Sequence, residues 1–172
     1  MKNILIVILF TLLAACSTKE MDYMELYPHL KESVIDINSG YSPYNNAAQR
    51  HKIKPNRRTI LTIVDATCAR CIGELKVWGK LIERHDLADD FNLIFIAQGS
   101  PNYYFNFNVL EQDFYKFPIY LDKSYLFNGD VDMIDIRAEH TAILDENNTP
   151  VFLGSPVLNI ENQKPFLNAL YQ

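Results

Sequence analysis

The sequence lacks the motifs that mark several large classes of enzyme and nucleic-acid-binding protein. Its 6 glycines build no loop that could cradle a phosphate, and no serine stands in the glycine-flanked turn of a nucleophile elbow. Asp and Glu outnumber Lys and Arg by 21 to 16, and no long basic stripe interrupts this acidic balance. The chain therefore gives no support to phosphate-loop or serine-nucleophile chemistry, and it argues against nucleic acid as a partner.

Cysteine is equally scarce, with Cys16, Cys68 and Cys71 as the three in the chain. There is no second C-x-x-C and no cluster of cysteines and histidines, so a structural zinc site with four ligands is not indicated. Internal repeats and low-complexity tracts are also absent. The composition, 48% apolar, 12% aromatic and 22% charged, is that of a globular protein and not of a disordered one.

The N-terminus carries an apolar run from Ile4 to Ala15 after the positively charged Lys2. A permanent transmembrane helix needs about 18 or more apolar residues, so this shorter run predicts a secretory signal peptide over residues 1–15. Its end, "LLAAC", resembles the bacterial lipobox, in which the cysteine is lipidated and becomes the first residue. That resemblance implies a lipid anchor on Cys16. With Ser17 following, it also implies a location at the outer membrane, facing the periplasm. An ordinary signal peptide with a chance cysteine is the alternative.

Cys68 and Cys71 form the motif Cys68-Ala-Arg-Cys71. In an extracytoplasmic chain, disulfides form and persist. A bridge across two intervening residues closes a very short loop, so it removes little unfolded-state entropy and stabilises the fold little. A role in redox chemistry therefore explains the cysteine pair better than a role in stabilising the fold.

The residues around this motif predict a strand followed by a helix. "TILTIVDA" (Thr59 to Ala66) is a continuous apolar, β-branched run, typical of a strand buried on both faces. From Cys71 to His85 or Asp86, apolar residues recur at three- and four-residue spacing, as in an amphipathic helix. The cysteines then lie in the first helical turn. The helix N-terminus and Arg70 would stabilise a thiolate on Cys68, and the less exposed Cys71 would resolve a mixed disulfide.

The strand, the C-x-x-C and the helix resemble the thioredoxin fold, and in particular the membrane-anchored TlpA/ResA-like thiol–disulfide oxidoreductases. The similarity runs from about Thr59 to the C-terminus. It includes "FNLIFIAQGS" as the second core strand and "FPIYLDKSYLF" (Phe117 to Phe127) as the family's P-x-x-x-D segment before a short helix. It also includes the hairpin "HTAILDENNTPVFLGSP" with its turn at Asn147-Asn148, and the closing helix "NIENQKPFLNALYQ". The resemblance implies an α/β fold, a three-layer α/β/α sandwich with a mixed central sheet.

The same resemblance implies an activity and a division of the chain. Cys68, Cys71 and Arg70 would carry out thiol–disulfide exchange with protein thiols and disulfides, without a dissociable cofactor, in a monomer. The chain would divide into the signal peptide, a lipidated tether and N-terminal extension over residues 16–58, and the thioredoxin-like domain over residues 59–172. Within the extension, residues 21–37 are predicted to be partly helical and residues 38–49 irregular.

The sequence departs from the family pattern at three places. Thr67 replaces the aromatic residue that commonly precedes the first cysteine, and Ala-Arg stands between the cysteines. In the family, a proline in the loop before the hairpin strand faces the cysteines. Here Glu139 or His140 takes its position, so these two residues are predicted to form the substrate-facing loop.

Two other functions are consistent with these residues. Cys68, Cys71 and His140 are suitable ligands for Cu(I) or Zn, in a plan comparable to that of the Sco-type copper chaperones. Alternatively, the protein is a binding lipoprotein with an idle C-x-x-C. Residues 101–116 favour this somewhat through a dense aromatic set, for which a core role is the preferred interpretation: Tyr103, Tyr104, Phe105, Phe107, Phe114 and Tyr115.

Overall fold

The computed structural model describes residues 24, 27–35, 41–111, 115–122 and 140–172. Within them, one sheet has the strand order β1-β4-β3-β2-β5-β6. The strands are β1 (Ser42–Pro43), β2 (Thr59–Asp65), β3 (Asn92–Gln98), β4 (Ile119–Asp122), β5 (Thr141–Leu144) and β6 (Pro150–Leu153). β2, β3 and β4 run parallel, while β1, β5 and β6 are antiparallel to their neighbours.

Helices flank this mixed sheet, which confirms the predicted α/β architecture. They are α1 (Asn46–Arg50), α2 (Ala69–Arg84), α3 (Leu87–Asp90), α4 (Tyr103–Asn106) and α5 (Gln163–Tyr171). A π-helical stretch, Phe107–Glu111, continues α4, and short 3₁₀ helices span Pro28–Glu32 and Ile160–Asn162. None of the helices in the described ranges is long and apolar enough to cross a membrane.

The central strands are buried on both faces, as their apolar runs predict. Every residue of β3 is buried, and so is every residue of β2 except Asp65. The two strands pair in register from Thr59↔Asn92 to Asp65↔Gln98. Their carboxyl ends therefore lie side by side at one edge of the sheet, where the loop that leads to the cysteines begins.

One face of the sheet is covered by α2 and α5. The predicted apolar stripe of α2 is buried, and it comprises Ile72, Leu75, Trp78, Leu81 and Ile82. The Trp78 ring lies edge-on to Phe95 of β3, with ring centroids 5.3 Å apart, and to Phe166 of α5 at 5.7 Å. This contact fixes α2 against the sheet, and with it the helix N-terminus that carries the cysteines.

The N-terminal extension covers the opposite face. Met24, Leu30 and Ile35 are buried there and belong to the same apolar cluster as Leu61 and Ile94 of the sheet. The Ile35 N–H also donates to the Asn148 carbonyl oxygen at 2.9 Å. The predicted helical character of this segment is present as the 3₁₀ turn at Pro28–Glu32.

The prediction of an irregular segment over residues 38–49 is wrong for residues 42–43 and 46–49, which contribute β1 and most of α1. The buried Asn45 explains the difference. Its Oδ1 accepts from the Ala48 N–H at 2.9 Å and from the Ile119 N–H at 3.0 Å, while its Nδ2 donates to the Phe117 oxygen at 3.0 Å. One side chain thus caps α1 and attaches it to β4.

The C-terminal hairpin forms as predicted. Asn148 adopts a left-handed backbone with φ 64°, a conformation that asparagine tolerates. The Asp145 Oδ1 accepts from the Asn147 N–H at 2.8 Å and from the Thr149 N–H at 2.9 Å, which stabilises the turn between β5 and β6.

Candidate active site

The two cysteines lie where β2 ends and α2 begins, as the sequence predicts. Cys68 is the N-cap of α2, and its N–H donates to the Asp65 oxygen at 3.3 Å. The Asp65 Oδ1 accepts from both the N–H and the hydroxyl of Thr67 at 2.7 Å each. The first turn of α2 contains no acidic residue. Its partial positive charge is therefore available to stabilise an anion at Cys68.

The two thiols differ in exposure. Both are free, Cys68 is half-buried and Cys71 is buried, as their positions in the helical turn predict. Burial raises the pKa of the Cys71 thiol to about 12, and a side-chain hydrogen bond with Cys68 acts in the same direction. Cys71 therefore keeps its proton, whereas Cys68 is partly open to solvent. This difference suits Cys68 as the attacking nucleophile and Cys71 as the thiol that resolves the mixed disulfide.

Glu74 is a site residue that the sequence reasoning missed. It lies one turn beyond Cys71, and its side chain is 14% exposed. Burial raises the pKa of the Glu74 carboxyl, whereas the charges of His140 and Arg70 lower it. The Glu74 charge in turn contributes to the raised pKa of Cys71. The spacing Cys-x-x-Cys-x-x-Glu, which puts a carboxylate one turn past the second cysteine, is the signal that identifies it.

Arg70 pairs with this carboxylate. Its Nε lies 3.5 Å from the Glu74 Oε1, and its side chain is 80% exposed. The predicted role of Arg70 toward a Cys68 thiolate stays a prediction, since the contact that the structure gives Arg70 is with Glu74.

His140 lies toward the same end of β2 because β5 is antiparallel to β2 and begins opposite Thr62, three residues before β2 ends. Its carbonyl oxygen accepts from the Ile63 N–H at 2.9 Å, and its backbone is left-handed with φ 63°. Glu139 lies outside the described residues. The substrate-facing role of both residues stays a prediction.

The metal-binding alternative requires Cys68, Cys71 and His140 to converge on one ion. In the part of the chain that the structure describes, no three His, Cys, Asp or Glu side chains are placed to hold a metal ion. The arrangement thus gives the Cu(I) or Zn interpretation no support.

The aromatic segment lies beside the cysteines. The Asn102 Nδ2 donates to the Thr67 oxygen at 2.9 Å, and the Asn102 N–H donates to the Ala66 oxygen at 3.4 Å. The preferred core role is confirmed for Phe105 and Tyr115, which are buried, and is wrong for Tyr103 and Tyr104, which are exposed. Phe107 is half-buried, and Phe114 lies outside the described residues.

The connections around the dithiol decide the fold. A central strand leads into a C-x-x-C at a helix N-terminus. It pairs on one side with a parallel strand reached through that helix, and on the other with an antiparallel hairpin that leads to a closing helix. The fold is thioredoxin-like. Its β-β-α closing unit begins after His140, whose carbonyl oxygen accepts from the Ile63 N–H of β2.

Several solved structures are similar to this chain at low sequence identity. The thioredoxin domain of a thiol–disulfide oxidoreductase from Bacteroides vulgatus is 13% identical, with 63% of this chain and 79% of that chain covered and a TM-score of 0.46. StoA from Bacillus subtilis is 16% identical, with 64% and 84% covered and a TM-score of 0.47. The N-terminal domain of PilB from N. meningitidis is 17% identical, with 69% and 80% covered and a TM-score of 0.45. No family model and no curated protein matches the sequence.

The raised pKa of Cys71 predicts a loss of stability in alkali. An unfolded chain ionises Cys71 near the ordinary value of 9.0, whereas the folded protein ionises it at about 12. The unfolded state therefore binds fewer protons between these values. The free energy of unfolding falls as pH rises through this window, by at most about 1.4 kcal/mol per pH unit.

Urea unfolding of the reduced protein at about pH 8 and about pH 10.5 measures this loss. We expect the Cys71→Ala variant to lose less stability than the wild type over this interval, because it lacks the titrating thiol. Equal losses in the two proteins would show that Cys71 ionises alike in the folded and unfolded states.

Proposed function

We propose that this protein exchanges its dithiol with a disulfide of a partner protein. The observation that carries this proposal is the asymmetry of the pair. A half-buried Cys68 caps a helix N-terminus, while a buried Cys71 with a raised pKa is hydrogen-bonded to it. The thioredoxin-like fold supports the same chemistry.

In the first step, the Cys68 thiolate attacks one sulfur of the partner disulfide. A Cys68–partner mixed disulfide forms, and the other partner sulfur leaves as a thiolate that takes up a proton. In the second step, Cys71 loses its proton and its sulfur attacks the Cys68 sulfur, which releases the second partner thiolate. The partner disulfide is reduced by two electrons, and the Cys68–Cys71 dithiol is oxidised to a disulfide.

Glu74 is the group that we assign to accept the Cys71 proton. Its carboxylate is half-buried one turn away, and it interacts electrostatically with Cys71. Repeated turnover then requires a second thiol protein that reduces the Cys68–Cys71 disulfide.

A Cys71→Ser variant tests this function. Without the resolving thiol, we expect the Cys68–partner mixed disulfide to persist, and non-reducing electrophoresis followed by mass spectrometry then detects it. The Cys68→Ser/Cys71→Ser variant is the control and should trap nothing. Absence of trapped partners, together with no redox equilibrium of the wild type in glutathione buffers, would instead favour a binding protein with an idle C-x-x-C.

We also propose that the protein is lipidated at Cys16 and held at the outer membrane, facing the periplasm. Support comes from the apolar run and the "LLAAC" sequence, which lie outside the described residues, and from the suitability of an oxidising compartment for this chemistry. In bacteria that express the full chain, we expect labelled fatty acid to be incorporated into the wild type and not into Cys16→Ser. Equal labelling of both proteins would contradict the anchor.

A further inference from the structure

An apolar surface lies beside the dithiol and is not used by the chemistry described above. It consists of Tyr103, Tyr104, Phe107 and Leu110, and it is called the aromatic patch below. Tyr103 is 76% exposed and Leu110 is 43% exposed. The Tyr103 and Phe107 rings stack with centroids 6.2 Å apart and planes 27° apart. This ring contact joins α4 to the π-helical stretch, and Leu110 of that stretch is also exposed.

The opposite face of the same helical segment is firmly packed. Phe105 and Val109 are fully buried in the main core. The Asn108 Nδ2 donates to the Tyr104 oxygen at 2.8 Å. The helix is therefore held in place by its inner side chains, and the exposure of the outer rings is not the result of a loosely attached segment. Isolated exposed aromatics are ordinary, but several exposed or half-buried apolar side chains on one short segment, two of them with stacked rings, are typical of an interaction surface.

The helix that carries the patch is hydrogen-bonded to the loop before the redox site. Asn102 caps the helix by accepting from the Phe105 N–H at 2.8 Å, and its amide nitrogen donates to the Thr67 oxygen at 2.9 Å. The turn that carries Tyr103 is thereby tied to the residue immediately before Cys68. Thr67 itself is small and polar, so the C-x-x-C loop offers no ring of its own at that position.

We propose that the aromatic patch binds the polypeptide segment that carries the partner's disulfide, and selects segments with an aromatic or aliphatic side chain next to the cysteine. This inference depends on the proposed thiol–disulfide exchange. The patch contains no charged side chain, so its contribution is apolar and aromatic contact and not ion pairing. A bound side chain would contact Tyr103 while the adjoining sulfur reaches Cys68.

Three small disulfides test the selection with the reduced full-length protein. Two are cyclic peptides that differ only in having phenylalanine or serine next to each cysteine, and the third is 2-hydroxyethyl disulfide, which has no side chain to bind. Rapid quenching and mass spectrometry give the rate of protein oxidation by each. We expect the phenylalanine peptide to react about tenfold faster than the serine peptide.

The Tyr103→Ser/Leu110→Ser variant should reduce this ratio to about one without changing the rate with 2-hydroxyethyl disulfide. Both replaced side chains are exposed, so the fold should be retained, and thermal unfolding followed by circular dichroism verifies this. Tyr171→Ser is the matched control. Tyr171 is 59% exposed, and its hydroxyl donates to the oxygen of His85, the residue that ends α2 at the end far from Cys68. This variant should keep the tenfold ratio.

A wild-type ratio near one would overturn the proposal, because the patch would then select no side chain. A ratio that is unchanged in Tyr103→Ser/Leu110→Ser, or lost equally in Tyr171→Ser, would also overturn it. Failure of the wild type to react with any of the three disulfides would instead contradict the proposed exchange itself.

Discussion

Replacement of Cys68 by serine is expected to lower the rate of reaction with a disulfide by at least about three orders of magnitude. A serine hydroxyl does not ionise near neutral pH, so no anion forms at the helix N-terminus to attack sulfur. The remaining Cys71 is buried and has a pKa of about 12, so almost none of it is thiolate at neutral pH. The measurement is the rate of oxidation by 2-hydroxyethyl disulfide under pseudo-first-order conditions.

Cys71→Ser is the matched control for this experiment. It retains Cys68 at the N-cap of α2, so the first exchange step should proceed at a rate near that of the wild type. The two variants thus separate the attack of Cys68 on the disulfide from the later attack of Cys71 on the mixed disulfide. If Cys68→Ser reacted as fast as Cys71→Ser, Cys71 would also act as a first nucleophile, and the roles assigned from burial would be wrong.

Replacement of Trp78 by alanine is expected to lower the free energy of unfolding by about 3–5 kcal/mol. Trp78 is fully buried, and it contacts Phe95 of the sheet and Phe166 of α5 edge-on. Removing the indole leaves a cavity at the junction of three elements, and the rigid rings around it close this cavity only in part. Urea unfolding followed by circular dichroism measures the change.

Val77→Ala is the control for helix composition. Val77 precedes Trp78 on α2 but is exposed, so its replacement should change the free energy of unfolding by less than about 0.5 kcal/mol. A loss below about 1 kcal/mol in Trp78→Ala would indicate that α2 and the sheet repack around the gap. The redox kinetics of this variant should then also be measured, since α2 positions both cysteines.

The core elements are predictable from the sequence because their patterns are local and strong. The run from Thr59 to Ala66 predicts β2, observed at Thr59–Asp65, and the apolar periodicity after Cys71 predicts α2, observed at Ala69–Arg84. Burial on both faces favours an unbroken apolar strand, and burial on one face favours a 3.6-residue period. Either constraint can be read without knowledge of the neighbouring elements.

The N-terminal extension was harder to predict because its structure depends on distant residues. β1 spans Ser42–Pro43, and its pairing is with β4, far along the chain. Asn45 appears in the sequence as part of a polar turn, yet in the fold it is a buried cap bonded to backbone groups of residues 117 and 119. A polar residue becomes a core residue when another segment supplies its hydrogen-bond partners.

The structure of the aromatic segment also depends on residues far along the chain. Its composition favoured a core role, but the sequence does not fix which rings face inward. Phe105 packs into the core while Tyr103 stays exposed, because Asn102 sets the helix start against the loop at Thr67.

The sequence by itself determined the position of the dithiol at the end of a buried strand and the start of an amphipathic helix. It also determined which cysteine is deeper, since both properties follow from spacing along one segment. Only the tertiary structure decided that His140 lies near Glu74 and that the helix carrying the aromatic patch is tied to the loop before Cys68. His140 and the patch come from segments far from the cysteines along the chain. Their proximity is created by the antiparallel return of β5 and by the loop contacts of Asn102, and no local pattern encodes it.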